Sequence, residues 1–171
     1  MRRTLTAFWA YIFRGVAVVL LAAVLTPWAH ASSLPAELGN WHLSSQHVTE
    51  LTTSGPDASD SREHGRWTSA SYVRSAFLPR IDVQLMEGPG TGQLYVPEGR
   101  IFSDGGPIGF LSTYETLTIA GRRAILERSD VTGQTLAVAM GTRRTITFET
   151  RGISREELLE FAENMVEALR D

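Results

Sequence analysis

Between residues 114 and 169 the spacing of apolar positions changes once, and that change organises the chain. Short runs at 116–119, 124–128, 135–140 and 145–149 are rich in β-branched and apolar residues, and Gly121, Gly133 and Gly141 punctuate them at hairpin spacing. Leu136, Val138 and Met140 alternate with small residues, and Ile146 and Phe148 with polar ones, the period of half-buried strands. Beyond residue 153 the period lengthens. Leu158, Leu159, Ala162, Met165, Val166 and Leu169 recur at three- and four-residue spacing and gather on one side of a helix, with Glu160, Glu163 and Glu167 on the other. Ser154-Arg155-Glu156-Glu157 forms a capping box: the serine hydroxyl accepts the amide three residues on, and Glu157 reaches back to the serine amide. Glu156 and Glu157 in the first turn and Arg170 at the end suit the helix dipole. A helix with one apolar stripe must lie on an apolar surface, and the strands before it supply one. The pattern predicts the α+β class, an antiparallel β-sheet meander covered by a C-terminal amphipathic helix.

Upstream the same patterning continues with longer interruptions. Leu34, Leu38, Trp41 and Leu43 are placed to pin residues 34–43 to the sheet, and 46–53 reads as a short strand. Residues 54–65 contain Ser, Asp, Gly and Pro but no large apolar residue, which makes them a loop or the tip of a long hairpin. Two strands follow at 66–76 and 80–87. Trp67, Tyr72, Val73 and Phe77 give bulk to the first, and Ile81, Val83 and Leu85 alternate with Asp82, Gln84 and Met86 in the second. Core packing is the expected place of Trp67, Tyr72, Tyr95 and Tyr114, ahead of a role in lining a cleft between sheet and helix. Gly88, Gly90 and Gly92 form a cluster, but Pro89 removes a donor amide and a strand-like stretch at 94–96 follows, so an inter-strand turn is expected rather than a phosphate cradle. Residues 97–109 read as another loop.

The first 31 residues have a different character. Arg2 and Arg3 precede an apolar stretch at 16–25, and Ala29-His30-Ala31 is a small-x-small cleavage site, which predicts an export signal and a mature start at Ser32. An uncleaved anchor over 7–28 is the rival; Arg14 interrupts it, leaving the apolar run short of the ~20 residues a span requires. The expected organisation is therefore 1–31 as signal or anchor and 32–171 as a single domain. The expected location is periplasmic, with inner-membrane anchoring as the alternative.

Composition removes several chemistries. The 171 residues include no cysteine, which excludes disulfides, thiolate nucleophiles and cysteine-based metal sites. All 16 basic residues are arginine, so Schiff-base and Walker-type lysines are missing too. Three of those arginines and no acid fall in 1–31, which leaves 13 arginines against 19 acidic residues beyond it, a formal charge of −6. An acidic domain without a basic cluster is a poor match for nucleic acid.

Candidate sites are few. His42, His47 and His64 with Asp57 or Asp60 make no compact metal motif, no G-x-S-x-G marks a serine nucleophile, and no catalytic, cofactor or metal residue is assigned. Arg122-Arg123 and Arg143-Arg144 are the basic pairs outside the leader. In strands one member of each pair faces outward, so Arg122, Arg123, Arg143 and Arg144 are the candidate contacts for an acidic partner, against the plainer role of edge-protecting charge.

The stretch Ile119-Ala120-Gly121-Arg122-Arg123-Ala124, followed by Ser154-Arg155-Glu156-Glu157-Leu158-Leu159, resembles the tail of exported small domains with a PsbP-like fold. That resemblance implies an antiparallel sheet with helix cover and a non-enzymatic accessory or binding role. It carries no functional residue across. The leading expectation is an exported, non-catalytic binding domain of the cell envelope that holds a protein partner or small ligand at its sheet face or loops, without a cofactor. An envelope hydrolase with a Ser/His/Asp or histidine–metal site and a membrane-tethered structural subunit are the alternatives.

Overall fold

A computed structural model describes residues 34–53, 63–75, 78–94, 101–103 and 112–170. Nine strands and one helix lie among them: β1 (Glu37–Leu38), β2 (Trp41–Thr53), β3 (Glu63–Val73), β4 (Arg80–Glu87), β5 (Ile101–Ser103), β6 (Ser112–Ile119), β7 (Arg122–Ser129), β8 (Gly133–Ala139), β9 (Arg144–Arg151) and α1 (Arg155–Ala168). The strands form one sheet in the order β1-β2-β3-β4-β9-β8-β7-β6-β5, antiparallel throughout. Two meanders, β1 to β4 and β5 to β9, are thus joined by their last strands. The α+β class follows directly. The early elements at 34–43 and 46–53 turn out to be the short β1 and a longer β2 that begins at Trp41, and His64 and Gly65 belong to β3 rather than to the preceding loop.

The β4–β9 seam pairs eight residues on each side, from Arg80 with Arg151 to Glu87 with Arg144. Because facing residues share a side of the sheet, the register draws continuous apolar rows across it. Ala70, Val83, Phe148, Leu136 and Leu126 make one row; Leu85, Ile146, Val138 and Ala124 make the next, with the buried Thr68 at its end. A chain of ion pairs crosses the same seam at one end of the sheet. Arg66 lies 3.0 Å from Glu50 and 4.0 Å from Glu87, and Arg144 lies 3.1 Å from Glu87.

Helix α1 covers these rows with Leu158, Phe161, Ala162, Met165 and Val166, all buried. Phe161, which the apolar count along the helix left out, occupies the centre. Its ring makes edge-on contacts with Trp41, Tyr72 and Phe148 at centroid separations of 5.6, 5.2 and 5.9 Å. One side chain therefore touches β2, β3 and β9, and so both meanders, in the T-shaped geometry that ring quadrupoles favour. Tyr72 in turn donates to the Pro35 carbonyl at 2.7 Å, and Leu34 is buried nearby in the same core. Burial pushes the Tyr72 phenol well above its usual pKa, so it remains a donor.

Both helix ends are fastened to the sheet. The capping box forms as expected: Ser154 Oγ accepts from the Glu157 amide at 3.1 Å, and Glu157 receives the Ser154 amide at 3.4 Å. Glu157 also accepts from Arg74 at 2.7 Å, while the Arg74 guanidinium lies 4.6 Å over the Trp41 ring. At the other end the last turn holds no basic residue. Arg144 of β9 donates to the Leu169 carbonyl at 3.4 Å, and Arg170 donates to the Ala120 carbonyl in the β6–β7 turn. That turn has two residues with positive φ, Ala120 at 46° and Gly121 at 78°, the geometry a tight hairpin demands.

Phe161→Ala empties the junction of three aromatic contacts and is expected to cost about 3–5 kcal/mol, read as a lower urea midpoint, while Phe161→Leu retains more of that stability. The Arg74 and Ser154 hydrogen bonds hold the Glu157 carboxyl below its usual pKa. A depressed carboxylate stabilises the fold above the unfolded-state pKa and loses that contribution as pH falls through the folded value. The stability gap between the wild type and Glu157→Gln is thus expected to be full near neutrality and to shrink on acidification below about pH 4.

Candidate functional site

Strand parity divides the molecule into two unlike faces. The face under α1 is the core. No described strand or helix covers the opposite face, although the 88–94 turn reaches its edge, where the Thr91 carbonyl accepts from Thr145, and the register builds it from mainly polar rows. Ser45, Ser71, Asp82, Glu149, Thr135, Glu127 and Tyr114 face one another in sequence across seven strands. Beside them run His47, Ser69, Gln84, Thr147, Ala137, Ile125 and Thr116, and then Thr49, Trp67, Met86, Thr145 and Ala139. A bulge in β2 between Leu43 and Ser45 sets this parity: Leu43 faces Tyr72 on the core side, and one extra residue turns Ser45 to the uncovered side.

Trp67 belongs to this uncovered face. It was expected in the core with Tyr72, yet it is 36% exposed, between Thr49 and Met86, and Met86 is 41% exposed. The reason is arithmetic: residues 67 and 72 are an odd number apart, so in one regular strand they point to opposite sides. Tyr114 also lies on this face, where Ser112 and Tyr114 both donate to Glu127, at 2.9 and 3.2 Å. Burial and the neighbouring Glu127 charge raise the Tyr114 phenol's pKa. Of the four aromatics, only Tyr72 is a core residue in the described structure; Tyr95 lies outside the described residues.

Two depressions share this face and meet at Asp82 and Glu149. One, of about 400 Å³, is lined by Ser45, His47, Trp67, Ser69, Ser71 and Gln84 besides those two carboxylates. The other, of about 540 Å³, continues past them to Leu78, Arg80, Thr132, Thr135 and Arg151. Together they form a trough across β2, β3, β4, β9 and β8. Hydrogen bonds fix its floor. Asp82 accepts from Ser71 and, through its other oxygen, from Arg80 Nε and Nη2 at 2.9 and 2.6 Å. Glu149 accepts from the Gln84 amide at 3.0 Å, and Arg151 donates to the Thr132 carbonyl at 3.0 Å. Asp82 thus has most of its lone pairs engaged, whereas the exposed Glu149 retains acceptor capacity toward solvent.

The arginine pairs do not assemble into one patch. Arg122 faces the core side and donates to the Met140 carbonyl at 3.4 Å; Arg144 serves the helix terminus and Glu87. Arg123 faces Thr118 and is exposed, and Arg143 is exposed in the β8–β9 turn. The glycine cluster packs as a turn against that same segment. The Gly88 amide donates to the Arg143 carbonyl at 2.9 Å, and a Cβ on Gly92 would come within 2.1 Å of the Gly141 carbonyl.

The histidines are dispersed as well. His42 faces Val73, His47 faces Ser69 and His64 faces Thr52, and the one histidine ion contact among the described residues is His42 with Glu37 at 3.7 Å. No group of three or more metal-ligating side chains occurs among the described residues; Asp57 and Asp60 lie outside them. No described helix is long and apolar enough to cross a membrane. No family model, curated protein or solved structure matches this chain.

Proposed function

We propose that the chain is an exported, non-catalytic accessory domain of the cell envelope that binds its ligand on the uncovered sheet face. One observation carries this reading. The nine-stranded sheet packs its buried apolar rows against α1 and presents on the other face a trough of fixed polar side chains with an exposed tryptophan at one end. Concavity with a few oriented polar groups and an aromatic is the general anatomy of a binding site. Among the described residues no histidine is hydrogen-bonded to a serine hydroxyl, even where His47 faces Ser69, and binding is therefore preferred to hydrolysis. The export signal that the sequence predicts at 1–31 and the resemblance of the tail to PsbP-like accessory domains are in keeping with this reading.

The test is capture of the tagged protein from its own envelope fraction, with mass spectrometry of bound components and of the protein's N-terminus. The expected result is a mature chain beginning at Ser32 with a reproducible bound protein or small molecule. That component is lost with Ser69→Arg, which fills the trough, and retained with Glu163→Arg on the exposed side of α1. Capture insensitive to Ser69→Arg would move the binding surface elsewhere, and an intact leader would favour the tethered subunit.

A further inference from the structure

Resting on the assignment of binding to the uncovered face, we infer that the trough takes an uncharged polyhydroxylated ligand, a glycan chain, with Trp67 as its stacking platform. The first argument is charge. Arg80 and Arg151 balance Asp82 and Glu149, and Arg80 is paired directly with Asp82 at 2.6 Å, so the charged groups lining the trough sum to zero although the chain beyond residue 31 carries −6. An uncharged site complements an uncharged ligand; an anionic or cationic polymer gains nothing here.

The second argument is hydrogen-bond chemistry. Hydroxyls both donate and accept. The trough offers a carboxylate with spare acceptor capacity in Glu149, an amide in Gln84, an imidazole in His47, hydroxyls on Ser45, Ser69 and Thr135, and the Arg151 guanidinium. Charge-assisted bonds from sugar hydroxyls to a positioned carboxylate are the strong kind. The floor groups are held by one another, as Gln84 holds Glu149 and Ser71 holds Asp82, so little side-chain entropy remains to be lost on binding.

The third argument is the tryptophan. Among residues 32–171 there are two, and one of them, Trp41, is 4% exposed in the core. Trp67 instead stands in mid-strand on the side no described strand or helix covers, where its burial contributes nothing to the core. A flat aromatic beside oriented polar groups stacks against the apolar C–H face of a sugar ring while the ring's hydroxyls reach those groups. Along β4 from Met86, opposite Trp67, to Arg80 there are six residue steps, which at about 3.3 Å each gives a trough of about 20 Å. That length accommodates an oligosaccharide rather than a single sugar.

The two-tryptophan arrangement also supplies the assay, because Trp67 is the one of the pair that a ligand in the trough can touch. Maltohexaose, cellohexaose and chitohexaose are titrated into the chain starting at Ser32, with intrinsic fluorescence and calorimetry as readouts. At least one is expected to bind saturably and change the tryptophan emission. Trp67→Ala weakens that binding tenfold or more, Glu149→Gln weakens it severalfold, and Glu163→Gln on the helix leaves it unchanged. Far-UV circular dichroism and the emission of Trp41 confirm that Trp67→Ala is folded. Absence of binding by all three sugars at millimolar concentration overturns the glycan assignment, as does binding that Trp67→Ala leaves intact. If the sugars fail while envelope capture remains sensitive to Ser69→Arg, the glycan is wrong and the face assignment stands; if both fail, the face assignment falls with it.

Discussion

Pairing of β4 with β9 is the constraint on which everything else depends. The two strands are separated by more than fifty residues of chain, yet their eight-residue register turns two meanders into one sheet. Loop closure over that distance is entropically costly, and local hairpins alone do not repay it. Repayment comes from burial: Val83 and Leu85 meet Phe148 and Ile146 across the seam, and all four are fully buried. Phe161 then presses on Phe148, Trp41 and Tyr72 together, so helix docking and seam formation stabilise each other. The Glu50–Arg66–Glu87–Arg144 chain adds orientation at one end; with its members partly exposed, its contribution is modest.

The same seam creates the uncovered face. A sheet with an apolar side under one helix leaves a second side whose residues are set by parity alone, and here that side is mainly hydroxyls, amides and carboxylates, with His47, Trp67, Met86, Ile125 and two alanines among them. The concentration of fixed polar groups at Asp82 and Glu149 sits directly opposite Val83 and Phe148 in the strand alternation. Core and candidate site are therefore two sides of one register. A slip of one residue at the seam would exchange them.

Local features were legible in the sequence wherever neighbours along the chain decide them. The capping box at Ser154, the glutamate face of α1, the bounds of β4 and the turn at Gly121 all match, because each rests on contacts within a few residues. Phe161 was equally legible in principle, since it stands three residues after Leu158 and four before Met165; its role as a junction was not, because its partners come from β2, β3 and β9. Trp67 is the instructive miss. Bulk suggested core, whereas the odd spacing from Tyr72 already required opposite sides of one strand. The arginine pairs were read as strand residues; Arg122, Arg123 and Arg144 do lie in β7 and β9, Arg143 lies in the turn before β9, and Arg122 and Arg144 are committed to carbonyls and a carboxylate brought near by the fold. Neither the pairing of β4 with β9 nor the trough it builds has a local signature.

Native-state amide hydrogen exchange tests the seam most directly. If β4 and β9 are central strands of one cooperative sheet, the amides of Val83, Leu85, Ile146 and Phe148 exchange only through global unfolding, as slowly as any in the molecule and together with the helix amides around Phe161. Exchange at β4 and β9 that is faster than at the β7–β8 pair, or that occurs without opening α1, would mean that the two meanders are separate units and would contradict the account.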